Sequence, residues 1–397
     1  MNDLKNNSNN LPSVLQCNFN AKCFIIKDIY LLIGNCIGDI EIFNWFEEKK
    51  LFDISMYNNN NKSIINIENT QQIINILYFN DNNNIFLIQS RGGDLFFVKI
   101  DFINKNFKII NNFSTKIETF SKFQISNEKL LRFINKNIKN IDDNNYYYSI
   151  LLPSNSENEI KILEINKEFK IINDYYKKLY FKNTDENNSE NSSDEDEEDE
   201  KIKKSLVNSI LIIKELNLLI ISFESSIIAF YTLDYKYILH TKVFKTKIEP
   251  IININYFIFE KNYYLIICLF STDLIIYKLD DKKIHEKKEL FKYKILKNVC
   301  SELKPGISCI DFGSFEKEDL LSDNIERNNI LFIGGYDKRV KFYSLKNKKE
   351  NEIEFKDMGN IITQGNGIIN QVKFLCYEEN LYLFICNEQK LFYIYNI

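Results

Sequence analysis

The chain has 397 residues, 45% of them hydrophobic and 14% aromatic, which excludes a wholly disordered protein and is too long for one ordinary core of about 100–200 residues. Two or three domains, or one closed array of repeats, remain. Formal charge is −4, and ten acidic residues crowd into 185–200 without a Lys or Arg; the remainder is mildly positive with scattered lysines and lacks the steep basic field of a dedicated nucleic-acid binder.

Residues 1–10 are Asn-rich and polar, a segment expected to be disordered, with no apolar stretch of the signal-peptide kind. A short apolar strand follows at 11–17. From there one pattern recurs: an apolar strand, a polar turn of four to six residues, then a second strand with apolar residues two apart that closes on a bulky side chain. It occurs at 31–43, 86–98, 148–163 (the weakest copy), 218–231, 265–277, 331–343 and 383–395. Four insertions separate the copies: Asn-rich runs at 58–61 and 82–84, the acidic stretch at 182–204, and a charged, hairpin-like stretch at 316–329. The longest apolar run, 263–270, is far short of a membrane span.

Seven copies at this spacing leave room for four strands each, the repeat of a β-propeller blade. The expected fold is therefore all-β, a seven-bladed propeller over 11–397 interrupted by a disordered acidic loop. The last copy runs to the final residue after its third strand, so its fourth strand is expected from 11–17, which would close the ring and cover an open sheet edge.

Chemistry-bearing residues are sparse. The two histidines, His240 and His285, fall in polar stretches with no partner evident from the sequence, too few for a His-based metal cluster. Gly365-Asn-Gly367 is the one G-x-G and carries no Lys-Ser/Thr behind it, so it is no phosphate loop. The eight cysteines contain no C-x-x-C and read as small core hydrophobes of a reducing compartment, the cytoplasm or nucleus. No catalytic set, metal, cofactor or small-molecule substrate is expected, which leaves a non-enzymatic scaffold or adaptor for other proteins, anchored by exposed aromatic side chains.

Gly334-Gly335-Tyr336-Asp337-Lys338-Arg339-Val340-Lys341-Phe342-Tyr343-Ser344 resembles the strand pair that ends a WD40 repeat, with Phe, Tyr, Val or Leu at the place of its Trp in the several copies and the turn Asp kept only as Asp337. The resemblance implies that Asp337 hydrogen-bonds turn backbone. Lys304-Pro305-Gly306-Ile307-Ser308 together with that stretch resembles the late Pro-Gly-Ile…Gly-Trp-Asp-x-Arg pattern of the G-protein-beta-like, ASTRA-associated proteins. That likeness implies a co-chaperone adaptor working with a HEAT-repeat complex of the Tel2–Tti1–Tti2 type on phosphatidylinositol-3-kinase-related kinases. It marks Pro305, Gly306, Tyr336 and Arg339 as partner contacts. In the acidic stretch, Ser192 and Ser193 each have an acid three residues on (Glu195, Asp196), the spacing used by kinases of the casein kinase II type, and are candidate phosphorylation sites. Two other readings compete: a WD40 enzyme of the diphthamide-methylesterase type, which needs a buried polar pair in the channel, and a ribosome- or RNA-assembly propeller, which needs a basic face.

Overall fold

The computed structural model describes residues 11–57, 71–80, 84–118, 121–126, 148–166, 168–179, 205–243, 249–286, 292–297, 299–300, 306–318, 325–349, 352–365 and 367–397. The expected disorder at 1–10 and the whole of 182–204 lie outside them.

Seven four-stranded antiparallel sheets make up the structure. Blade one is Ala21–Lys27, Tyr30–Asn35, Asp39–Asn44 and Lys49–Ser55; blade two is Ile73–Asn80, Ile85–Ser90, Asp94–Asp101 and Asn106–Ser114. Blade three is Gln124–Ser126, Tyr148–Pro153, Glu159–Ile165 and Ile171–Lys178; blade four is Val207–Ile213, Leu218–Phe223, Ile227–Thr232 and Tyr237–Lys242. Blade five is Ile251–Phe259, Asn262–Leu269, Leu274–Leu279 and Lys292–Leu296; blade six is Ile307–Glu318, Ile325–Gly335, Arg339–Lys349 and Glu352–Ile362. Blade seven takes Ile369–Tyr377, Asn380–Asn387 and Leu391–Asn396 from one end of the chain and Ser13–Gln16 from the other. At most joints the first strands of neighbouring blades touch one another, around the axis of the ring. The fold is a seven-bladed β-propeller.

Burial explains why strands two and three dominate the sequence pattern. Second strands such as Ile85–Ser90 and Leu218–Phe223 are buried at every residue, because each blade is covered by a neighbour on both faces, so they read as unbroken apolar runs. Outer strands face solvent; Ile171–Lys178 is largely exposed and has no apolar run to find. Seven apolar clusters fill the seven gaps between adjacent blades, one to each gap. The bulky closing residues Phe43, Val98, Tyr231, Tyr277 and Tyr343 sit at register shifts between third and fourth strands, bulges that turn each large side chain into such a cluster.

The joint between blades one and seven has its own fastening. Ser13–Gln16 pairs antiparallel with 391–394. The next residues bend back over blade one, where the buried carboxylate of Glu41 accepts the Asn18 N–H at 3.0 and 2.9 Å and lies 2.8 Å from Lys50 Nζ. Trp45, the single tryptophan, is buried in the same joint. Its indole N–H donates to the Asp28 carbonyl at 2.8 Å, and its ring meets Tyr377, Tyr382 and Phe384 edge-on at 5.3, 4.9 and 5.2 Å.

A second belt runs round the axis. Six first strands shift register at their second residue. The residue displaced there frequently bonds the first carbonyl of the next blade: Asn208 Nδ2 to Ile251 O at 2.9 Å, Asn370 Nδ2 to Ala21 O at 2.8 Å, and Ser308 Oγ to Ile369 O. Between blades two and three, buried Gln89 does this work, donating to Ser121 O and accepting from the Phe123 N–H, each at 3.1 Å.

A candidate docking face at the blade-six turn

In an antiparallel blade, the turn between strands two and three and the link to the next blade emerge at the same end. Together they make one face of the disc, here the turn face. In six blades this turn holds five residues between its last paired positions, as between Gly34 and Ile40 or Gly334 and Val340. The turn needs a small polar side chain folded back on its own N–H groups.

In blade six that side chain is Asp337. It is buried; Oδ1 accepts the Arg339 N–H at 3.3 Å and Oδ2 lies 3.4 Å from Arg339 Nε. Gly335 makes room, since a Cβ there would stand 2.6 Å from Asp337 Oδ1. Asp337 does not carry this role alone, however. Asn35 accepts from the N–H groups of Ile37 and Asp39 at 3.1 and 3.0 Å, Ser90 from Asp94 at 2.9 Å, Ser154 from Ser156 at 3.1 Å and Asn387 from Gln389 at 3.2 Å. These residues do the work of the missing aspartates, from two positions earlier in the turn in blades one, two and seven. A small polar residue at a constant place after the strand was the sequence signal for them.

Tyr336 leans over Gly306. Its N–H donates to Gly306 O at 3.0 Å, and Gly306, at φ +127°, is so close that a Cβ would stand 2.9 Å from the ring. The fold therefore draws on both residues, whatever a partner does with them. The Tyr336 ring meets Phe270 edge-on at 5.8 Å. Phe270, at the equivalent position of blade five, is 49% exposed; the sequence hinted at it as an apolar residue where the turn is otherwise polar. Burial raises the Tyr336 phenol above its ordinary pKa, and the carboxylate of Glu388 adds to the rise. Arg339 is exposed and tethered by Asp337, so Phe270, Tyr336 and Arg339 form an aromatic and cationic patch with little freedom to lose. Thr363 Oγ1 donates to Lys338 O at 3.2 Å and accepts from Asn387 Nδ2 at 3.4 Å, tying this turn to that of blade seven.

Pro305, Ser192 and Ser193 lie outside the described residues. The ends of the acidic insertion do not: Asn158 donates its N–H to Ser205 O at 2.9 Å and accepts the Leu179 N–H at 2.8 Å, so one residue clamps both sides of its stem on the turn face.

Both histidines have neighbours that the sequence did not reveal. His240 lies within the outer strand of blade four, not beside it, with Nδ1 2.6 Å from Tyr237 Oη. His285 ends a one-turn helix, Asp281–His285, 3.2 Å from Asp281. Among the described residues no group of three His, Cys, Asp or Glu is placed to hold a metal. Of the cysteines, six are buried as core hydrophobes, Cys36 is half-buried, and Cys376 is exposed. Burial pushes the Cys23 thiol up to about 12 and that of Cys309 to about 11, which keeps them protonated and poorly nucleophilic.

No family model matches the sequence, and no curated protein matches it. Solved structures do. The Cps50 (Swd1) β-propeller domain of Myceliophteria thermophila matches at 9% identity and TM-score 0.60 over 98% of this chain and 100% of that one. Raptor of Chaetomium thermophilum matches at 9% identity and TM-score 0.59 over 98% of this chain, which spans only 29% of that protein. At such identity the likeness bears on the fold alone.

Proposed function

We propose that this propeller is a non-enzymatic platform that holds other proteins together, and that the turn face at blades five and six is its principal docking surface. The carrying observation is the patch of Phe270, Tyr336 and Arg339: an aromatic pair and a guanidinium, pre-positioned by Gly306 and Asp337, are the side-chain types that anchor protein interfaces at small entropic cost. Tyr336 and Arg339 of this patch fall within the stretch that resembles the ASTRA-associated proteins. On that resemblance we assign the more specific role of a co-chaperone adaptor in the cytoplasm or nucleus, with a HEAT-repeat complex and very large kinases as partners.

Affinity purification of the tagged chain followed by mass spectrometry tests both levels. Recovery of a stable set of proteins, lost on Phe270→Ala with Arg339→Glu while the melting temperature holds, is the expected result. A HEAT-repeat complex and large kinases in that set carry the finer role, and their absence removes it. Recovery unchanged by the double substitution would overturn the assignment of the face.

A further inference from the structure

Opposite the turn face, the disc carries the hairpins that join strands one to two and three to four within each blade. At the joint of blades one and seven, three of these hairpins come together, at 28–29, 45–48 and 378–379. In the second, Asn44 Oδ1 accepts the N–H groups of Phe46 and Glu47, each at 3.1 Å, a turn that leaves Trp45 buried and puts Phe46 outward, 55% exposed. Phe46 is not a lone apolar side chain there. Its ring meets that of Tyr377 at 6.3 Å and that of Trp45 edge-on at 5.8 Å, and Trp45 in turn touches Tyr377 and Tyr382. Four exposed carboxylates stand on the same three hairpins. Asp28 is held next to Trp45, whose indole N–H donates to its carbonyl at 2.8 Å, and Glu47 follows Phe46 directly. Glu378 and Glu379 follow Tyr377 at φ +47° and +65°, a turn that Asn and Gly would make at less cost. Of the lysines that flank these hairpins, Lys27 leans over the Tyr78 ring of blade two at 4.9 Å, with Asp28 3.5 Å away, and Lys49 opens the outer strand. The result is an aromatic floor, half open to solvent, inside a negative rim.

We propose that this floor is a second docking site, on the face opposite the blade-six patch, and that its occupant is an arginine-bearing segment of a partner protein. One guanidinium lies on the Phe46 and Tyr377 rings and pairs with the surrounding carboxylates, because a planar cation is attracted both by the face of an aromatic ring and by a carboxylate beside it. The rim decides the class of occupant: it repels a nucleic-acid backbone, an anionic lipid surface and a second copy of the chain apposed through the same patch. The site is independent of the turn face, and with both in use the ring bridges two partners.

Phe46→p-benzoylphenylalanine, irradiated in cells, is the test, because its ketone inserts into a C–H bond of whatever lies on that ring. A cross-link to a segment of another protein with Arg close to the point of attachment is expected. That segment, made as a labelled peptide, should bind the purified chain about ten-fold more weakly after Glu378→Lys with Glu379→Lys at unchanged melting temperature, and should weaken with salt. If the lysine pair lowers the melt, Glu47→Lys on the neighbouring hairpin reads the same loss. A cross-link to nucleic acid, to another copy of the chain or to a segment without Arg, no cross-link at all, or a peptide affinity indifferent to the charge reversals would each overturn the inference. Phe270→Ala with Arg339→Glu should leave the peptide affinity unchanged, so failure of the turn-face reading is told apart from failure of this one.

Discussion

Glu41 closes the ring at the scale of one side chain. Its buried carboxylate holds the Asn18 N–H on one side and Lys50 on the other, so Glu41→Ala strands a backbone donor and leaves Lys50 with Asp53, 2.8 Å away, as its remaining partner. The expected cost is about 1–3 kcal/mol, read as a lower urea midpoint at unchanged slope. Asp337→Ala removes one turn acceptor and should cost about 1–2 kcal/mol, with Asn35→Ala and Asn387→Ala falling in the same range. Asp337 was legible because aspartate in a tight turn is familiar; Asn35 and Ser90 were not, because they reach the equivalent N–H from two positions earlier, and Asn387 holds the Gln389 N–H in mid-turn instead. The thiols add a pH signature. Cys23 and Cys309 are raised from 9.0 to about 12 and about 11 in the folded chain, so above pH 9 the unfolded state gives up protons that the folded state keeps, and stability falls as pH rises through that window. Melting temperatures should be level from pH 8 to 9 and decline steadily to pH 11; a level profile throughout would count against buried thiols.

Among the elements, the closing strand Ser13–Gln16 and the acidic insertion make opposite predictions. Removing 1–17 exposes the edge of Leu391–Asn396 and uncovers the cluster around Phe24, Trp45 and Phe384. Melting should drop by several degrees or more, and an unshifted melt would show that the strand adds nothing. Removing 185–200 should leave the melt where it was, because Asn158 already holds Leu179 and Ser205 together; a marked drop would mean that the insertion packs on the ring. Strands two and three were legible in the sequence because they are buried on both faces. First strands were not: their bulges break the alternation, and Asn75, Asn208, Asn253 and Asn370 read as loop residues although they lie within strands beside the axis. Of the charged stretch at 316–329, residues 316–318 and 325–329 extend the first two strands of blade six, whose pairing continues from Ile307 with Gly335 to Glu318 with Ile325; 319–324 lie outside the described residues.

For the molecule as a whole, stiffness governs what the ring can do. Each blade is buttressed on both sides by an apolar cluster, with side-chain bonds to the next blade's carbonyls at several gaps, so the faces are presented with little adjustment and affinity depends on what projects from them. A propeller of this kind supports catalysis only where polar groups converge. The two histidines, on the outer strand of blade four and the blade-five helix, occupy peripheral elements. Substituting both by Gln should leave partner recovery and the melt unaffected; loss of activity in cells with an intact fold would reopen an enzymatic role.

The lone tryptophan has a practical consequence. Trp45 sits in the seam where the two ends of the chain meet, so intrinsic fluorescence, which averages over many sites in most proteins of this size, reports here on one joint. Emission that shifts to the red at lower denaturant than the loss of β-sheet circular dichroism would mean that the ring unlatches before its blades melt. Superimposed transitions would mean that the seam is as strong as any other gap, and that the circle has no preferred place to break.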